Sequence, residues 1–227
     1  MLKPRKRLTK AQLKQDKFIL FTAQAQAWLT QYQKYILYGF IGLIVIVVGV
    51  SAVAWSKSSS EKQASFEELL ARDAYSRGDI DSALIRAEAI IEKYEGTSAA
   101  GAAWMLKGKI HEQRGEFEPA IKAFEHVASK YDDQEYLAFG ALYAIGMIHY
   151  GEHEYVKAGE YFDNAVKRYP KHFHGPVALV KGGEAYERGL RYTDAKRLYQ
   201  RVVTQYPKSR SADGARESLA KIEFMPQ

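Results

Sequence analysis

The stretch WMLKGKIHEQRGEFEPAIKAFEHVASKY, residues 104–131, decides how this chain is read, because its landmarks return along the sequence. Ala83, Ala120, Ala158 and Ala195 are separated by 37, 38 and 37 residues. Tyr94, Tyr131, Tyr169 and Tyr206 keep the same intervals, as do Ala71, Gly108, Gly146 and Gly183. A fourth column holds Ala87, Phe124, Phe162 and Tyr199. Four columns in one register are an internal repeat, and a period of this length marks stacked supersecondary units.

Within a unit the pattern reads as two helices. The first carries a small residue, as at Gly108, where a neighbour must come close. A turn follows, Arg77-Gly78-Asp79 or Arg114-Gly115-Glu116, in which glycine takes the left-handed slot that ends a helix. The second helix places Ala120 and Phe124 four apart on its buried side and ends at Tyr131. Tyr169-Pro170 and Tyr206-Pro207 close two units, since proline cannot continue a helix. Such a pair cannot bury its apolar face alone, so neighbours must stack. A last amphipathic stretch, with Ala212, Ala215, Leu219 and Ile222, is placed to cap the open end. The expected fold is all-α, a solenoid of about four helix pairs over residues 65–227 with a capping helix.

The columns resemble the tetratricopeptide repeat. Trp104, Gly108, Ala120 and Phe124 match its signature in one unit, and Gly146, Ala158, Phe162, Ala165 and Pro170 in the next. Gly183, Tyr186, Ala195 and Pro207 match in the last. The first unit is degenerate: it keeps Ala71, Gly78 and Ala83 but lacks the tryptophan and the closing proline. The period exceeds the usual ~34 residues, and the excess falls between units, in YEGTSAAGAAW and YPKSRSADGARESL. Longer connectors of this kind are similar to those of bacterial envelope proteins.

The N-terminal third is of another kind. Between Lys34 and Lys57 lie 22 residues without a charge, YILYGFIGLIVIVVGVSAVAWS. As a helix they would span ~33 Å, enough for a hydrocarbon core of ~30 Å. Tyr32, Tyr35 and Tyr38 stand near one end and Trp55 at the other, the places of interfacial aromatics. Residues 35–56 therefore read as one transmembrane helix, preceded by a basic segment, 1–34, and followed by a polar linker, 57–64. The basic segment carries Lys3, Arg5, Lys6, Arg7, Lys10, Lys14, Lys17 and Lys34 against Asp16 alone, while the rest of the chain is nearly neutral. The positive-inside rule then puts the N-terminus in the cytoplasm and the repeats across the membrane; the resemblance to bacterial envelope repeats implies the periplasmic side of a bacterial inner membrane. The basic balance is thus a topology signal, and no nucleic-acid partner is expected. Ala52-Val53-Ala54 offers a cleavage pattern, but a long preceding region and the bulky Trp55 favour a retained anchor. Phe18, Phe21, Ala25, Trp28, Tyr32 and Tyr35 form an apolar stripe that reads as an interfacial helix on lipid or a docking face for a membrane partner. Gly42, Gly49 and Ser56 recur every seven residues, a weak helix-contact signal.

Candidate chemistry is sparse. There is no cysteine, hence no disulfide or thiolate site. His149, Glu152 and His153 spell the H-x-x-E-H of inverted zinc peptidases. In the repeat register, however, His149 falls in the column of His111 and Tyr186, and His153 falls in the turn where Gly115 stands one unit earlier. Two such histidines do not share a helical face, which disfavours the zinc reading. His172-Phe173-His174 sits in a connector and reads as solvated loop rather than metal ligand, and Asp132, Asp133, Glu116 and Glu118 as helix-end acids. No phosphate loop, nucleophile elbow or paired-carboxylate site occurs. No enzyme activity and no cofactor are expected.

The resemblance to tetratricopeptide repeats implies a partner groove lined by the first helix of each unit. Its positions correspond here to Arg72 and Tyr75, then Met105, Lys109, Glu112 and Gln113, then Tyr143, Met147 and Tyr150, and last Glu184, Glu187 and Arg188. Met and Tyr among both charge signs suit a polypeptide. The family's carboxylate clamp pairs Lys with Asn, and no Asn stands at the matching places. The whole plan resembles the YfgM-like family of membrane-anchored ancillary Sec translocon subunits. That resemblance implies translocon subunits, periplasmic chaperones or client chains as partners, and lipid at the N-terminal helix. A non-enzymatic scaffold for envelope assembly or division is the alternative.

Overall fold

The computed structural model describes residues 10–223, with side chains from residue 19 onward apart from 52–54. Lys3, Arg5, Lys6 and Arg7 lie outside the described residues, as do the side chains of Phe18 and of the Ala52–Ala54 pattern. The described residues form nine helices and no strand. The chain divides between Ser56 and Lys57 into two compact units.

The first unit belongs to α1, Lys10–Ser76. Its large apolar side chains from Ile36 to Val50 are all exposed. Among the described residues this is the one helix long and apolar enough to cross a membrane. Trp28, Tyr32 and Tyr35 share a face, with ring centroids 5.3 and 6.4 Å apart in succession, as the 4 and 3 spacing of the stripe requires.

The second unit opens with the end of α1. Residues 57–64, expected as a linker, are helical. They contain neither glycine nor proline, and they have something to pack against: Ala64 is fully buried and Glu61 Oε2 accepts the Ser98 N–H at 3.0 Å. Glu61 thereby satisfies an orphan donor at the start of another helix. The helices that follow are α2 (Ile80–Lys93), α3 (Ser98–Gln113), α4 (Phe117–Lys130), α5 (Glu135–Gly151), α6 (Tyr155–Arg168), α7 (Gly175–Arg188), α8 (Tyr192–Gln205) and α9 (Ser211–Ile222). From α2 onward each packs on the next, and α3 also touches α5 while α7 touches α9. This is the helix-pair solenoid with its cap: Ala212, Ala215 and Ile222 of α9 are buried.

The repeat columns have physical meanings. A Cβ at Gly108 would lie 2.5 Å from the Phe124 ring, one at Gly146 2.9 Å from Phe162, and one at Gly183 2.5 Å from Tyr199. Small and aromatic columns are thus the two halves of one contact. In the first unit both halves are small, Ala71 and Ala87, and both are fully buried. The left-handed slot between paired helices is filled by Gly78 (φ 80°), Gly115 (φ 73°), His153 (φ 63°) and Leu190 (φ 57°). The tyrosine column supplies the residue after each second helix, and two of its hydroxyls tie a unit to the preceding connector. Tyr169 donates to the Asp132 carbonyl at 3.0 Å and Tyr206 to that of Pro170 at 2.7 Å.

Candidate functional site: a ring-lined groove across the first helices

The first helices of successive units enclose a groove of about 690 Å³. One wall comes from the end of α1, with Glu68, Arg72 and Tyr75. The floor comes from Met105, Leu106 and Lys109 of α3 and from Leu137, Gly140 and Tyr143 of α5. Gly140 adds no side chain to that floor, and a Cβ there would make ordinary contact with Met105 Cε at 3.5 Å. The far wall is a cluster of rings, Tyr136 and Phe139 at the start of α5 with His172 and His174 of the connector before α7, followed by Val177.

The rings define that wall. His172 stacks on Phe139 with centroids 3.8 Å apart, and Phe173 stacks on Tyr136 at 6.1 Å. The expectation of a solvated connector fails at His172, which is buried, because Phe139 of the preceding unit offers an apolar face across the junction. The His174 N–H donates to His172 Nδ1 at 3.3 Å, which leaves the ring proton on Nε2. That Nε2 is buried without a partner among the described residues. Burial, helped by the neighbouring His174, pushes His172 below the ordinary imidazole range and favours this neutral form.

The charges in the groove are few. Arg72 is held by Glu68, one helical turn away, at 2.5 Å. Lys109 is exposed on α3 and makes no ion pair among the described residues. Burial raises the carboxyl of Glu112, one turn further along, and the hydroxyl of Tyr143.

Of the residues expected to line a partner groove, Arg72, Tyr75, Met105, Lys109 and Tyr143 meet in this cavity. Glu112, Gln113, Met147, Tyr150, Glu184, Glu187 and Arg188 do not line it, standing towards the C-terminal ends of α3, α5 and α7. Some have other partners. The Arg188 guanidinium lies over the rings of Tyr150 and Tyr155 at 5.3 and 5.9 Å, and Glu184 pairs with Lys181 at 2.7 Å. Sequence reasoning missed Tyr136, Phe139, His172 and Val177. One signal was available, since Tyr136 and Phe173 are 37 residues apart, one repeat, and so share a column.

The H-x-x-E-H string is dispersed by the fold. His149 Nδ1 meets Glu154 at 2.6 Å, while His153 stands in the left-handed turn with its ring on the Tyr155 hydroxyl at 2.8 Å. One unit earlier His111 meets Glu116 at 2.5 Å. In these two units the histidine therefore clamps the residue that precedes the second helix, α4 and α6, a structural use repeated in register.

A family model described as tetratricopeptide repeat-like domain matches residues 26–222. No curated protein matches the chain. Solved structures that it resembles include a tetratricopeptide repeat protein from Parabacteroides merdae, with TM-score 0.56, 19% identity and coverage of 73% of this chain and 60% of that one. Others are the TPR-like repeats of a putative kinesin light chain from Podosopora anserina (0.54, 15%, 71% and 86%) and MamA from residue 41 onward from Desulfovibrio magneticus (0.50, 16%, 70% and 93%). Likeness at these identities speaks for the fold alone.

Proposed function

The chain belongs to the tetratricopeptide repeat-like family and is a scaffold for protein–protein interaction, and from that premise we propose that it is a membrane-tethered adaptor. Residues 35–56 anchor it in the bacterial inner membrane, and the repeat unit works on the periplasmic side, assisting secretion and chaperone hand-off at the translocon. The observation that carries this reading is the pairing of two features in one chain. An uncharged helical stretch, with its large apolar side chains from Ile36 to Val50 exposed, accompanies a repeat unit with an open groove lined by Met, Tyr and an exposed Lys. Tethering suits such a groove, because confinement near a channel raises the effective concentration of emerging chains without a tight site. The charge bias before the span supports the orientation.

The test is crosslinking in living cells. A photoreactive residue is placed at Met105 or Tyr143 in the groove, or at Lys122 on α4, which does not line it. Partners captured from the full-length protein are then read by mass spectrometry. Translocon subunits and envelope chaperones recovered from the groove positions, and lost when residues 1–56 are replaced by an unrelated anchor, are the expected result. Cell-wall or outer-membrane assembly proteins, with translocon at background, would overturn the secretion role in favour of an envelope scaffold.

A further inference from the structure

Two large rings in the repeat unit are left in solvent side by side. Tyr136 is 66% and Phe173 65% exposed, their planes lie 18° apart, and Val177 beside them is 41% exposed. Each belongs to a helix start or connector whose own packing does not need it, so an apolar patch is maintained at the mouth of the groove. Contiguous exposed patches of this sort mark interaction sites. The charge of the same groove is one-sided: once Glu68 and Arg72 have neutralised each other, Lys109 remains. Behind the exposed rings, His172 holds a donor, Nε2–H, with no acceptor among the described residues. A buried donor left without a partner is unfavourable, and an incoming acceptor would recover that loss.

Resting on the reading of the groove as the partner-binding surface, we infer that its occupant is a polypeptide segment carrying a bulky apolar side chain next to carboxylates. The apolar side chain seats against Tyr136 and Phe173, a carboxylate pairs with Lys109, and an oxygen of the segment accepts the His172 proton as the exposed rings shift aside. One net positive charge is too little for a polyanion such as nucleic acid, whose binding needs several phosphate contacts. An amide-rich chain, by contrast, supplies the acceptor that His172 lacks.

The probe is a fluorescein-labelled Gly/Ser dodecapeptide with Phe-Leu-Asp-Asp at its centre, titrated by anisotropy against the full-length protein in lipid nanodiscs. Counterparts carry Ala-Ala-Asp-Asp or Phe-Leu-Lys-Lys. The first peptide is expected to bind saturably and both counterparts about tenfold more weakly. Tyr136→Ser with Phe173→Ser should cost about tenfold. Lys109→Glu should reverse the preference between Asp and Lys peptides, and His172→Phe, which keeps the stacked ring, should weaken binding several-fold. The exposed positions of Tyr136, Phe173 and Lys109 leave the fold intact on substitution, as circular dichroism will verify. Equal binding of the three peptides, or displacement by micromolar laurate, would overturn the inference, the latter in favour of a fatty acid. Groove crosslinks from Met105 alongside equal peptide binding would sink this inference alone. Crosslinks from Lys122 without any from Met105 would sink the groove reading as well.

Discussion

A methyl group at Gly108 would stand 2.5 Å from the edge of Phe124, a ring that is itself fully buried and has nowhere to retreat. Gly108→Ala is therefore expected to destabilise the repeat unit by about 1–3 kcal/mol, the usual cost of overpacking, and to lower its urea midpoint. Gly214, within α9 and with nothing within 4 Å, is the matched control, and Gly214→Ala should stabilise by roughly 0.5–1 kcal/mol and so raise the midpoint. The reverse exchange applies at Leu190. It holds φ 57° and is largely exposed, so its side chain is strained without buried packing in return. Left-handed backbone costs a non-glycine residue about 1–2 kcal/mol, partly offset by the greater entropy that glycine loses on folding. Leu190→Gly should thus stabilise by about 0.5–1 kcal/mol, read as a higher thermal midpoint; a lower one would show that Leu190 packs usefully. The repeat register exposes this residue where local turn chemistry hides it. Gly189 looks like the turn glycine, yet it sits one position early, at φ −83°. His172 was hidden for a different reason: its burial depends on Phe139, 33 residues upstream, and no local pattern encodes a stack between units.

Helices of adjacent units are also joined by charge. Asp163 of α6 is buried, and its carboxylate meets Lys167 Nζ and Arg197 at 3.0 Å each, with Arg201 of α8 closer still. Burial alone would push this carboxyl up, but the hydrogen bonds from Lys167 and Arg197 outweigh it and hold it below its ordinary 3.8. A group whose pKa is depressed by folding stabilises fully above its unfolded value, and that contribution drains away as pH falls through the folded value. Asp163→Asn leaves Arg201 without its carboxylate and Arg197 with only Asp194 at 3.7 Å, and should cost about 2–4 kcal/mol at neutral pH. The gap in urea midpoint between the two proteins should narrow as pH drops below about 4, since protonated Asp163 then resembles the amide. A gap independent of pH would mean that packing, not charge, sets the loss. Arg201 lies 38 residues beyond Asp163, so the pair spans one unit and becomes visible only after the repeats are aligned. The helix pairs themselves were legible, because small, aromatic and tyrosine columns each answer to a contact that recurs. The groove was legible in half. Positions taken from the family reached Arg72, Tyr75, Met105, Lys109 and Tyr143, but its far wall is made by a connector, and connectors are where this chain departs from the usual period.

At the scale of the molecule, a stack in which each helix contacts its neighbours is nearly one-dimensional, and its stability is set by interfaces and by the quality of its ends. The C-terminal end is closed by α9, which buries Ala212, Ala215 and Ile222 against α7 and α8. Ile222 alone contributes about 2 kcal/mol by its removal from water. Deleting residues 211–227 would uncover the faces of α7 and α8 on which α9 packs in the intact protein. The truncated chain should unfold at lower urea, bind a hydrophobic dye and lose its single transition, because the last pair would fray before the first three. Deleting residues 1–56 should do none of this, since every residue of the hydrophobic core lies between Ala64 and Ile222. The two deletions measured side by side test the division of labour: a lowered midpoint for residues 57–227 would show that the N-terminal unit supports the fold, and an unchanged one leaves it the task of placement.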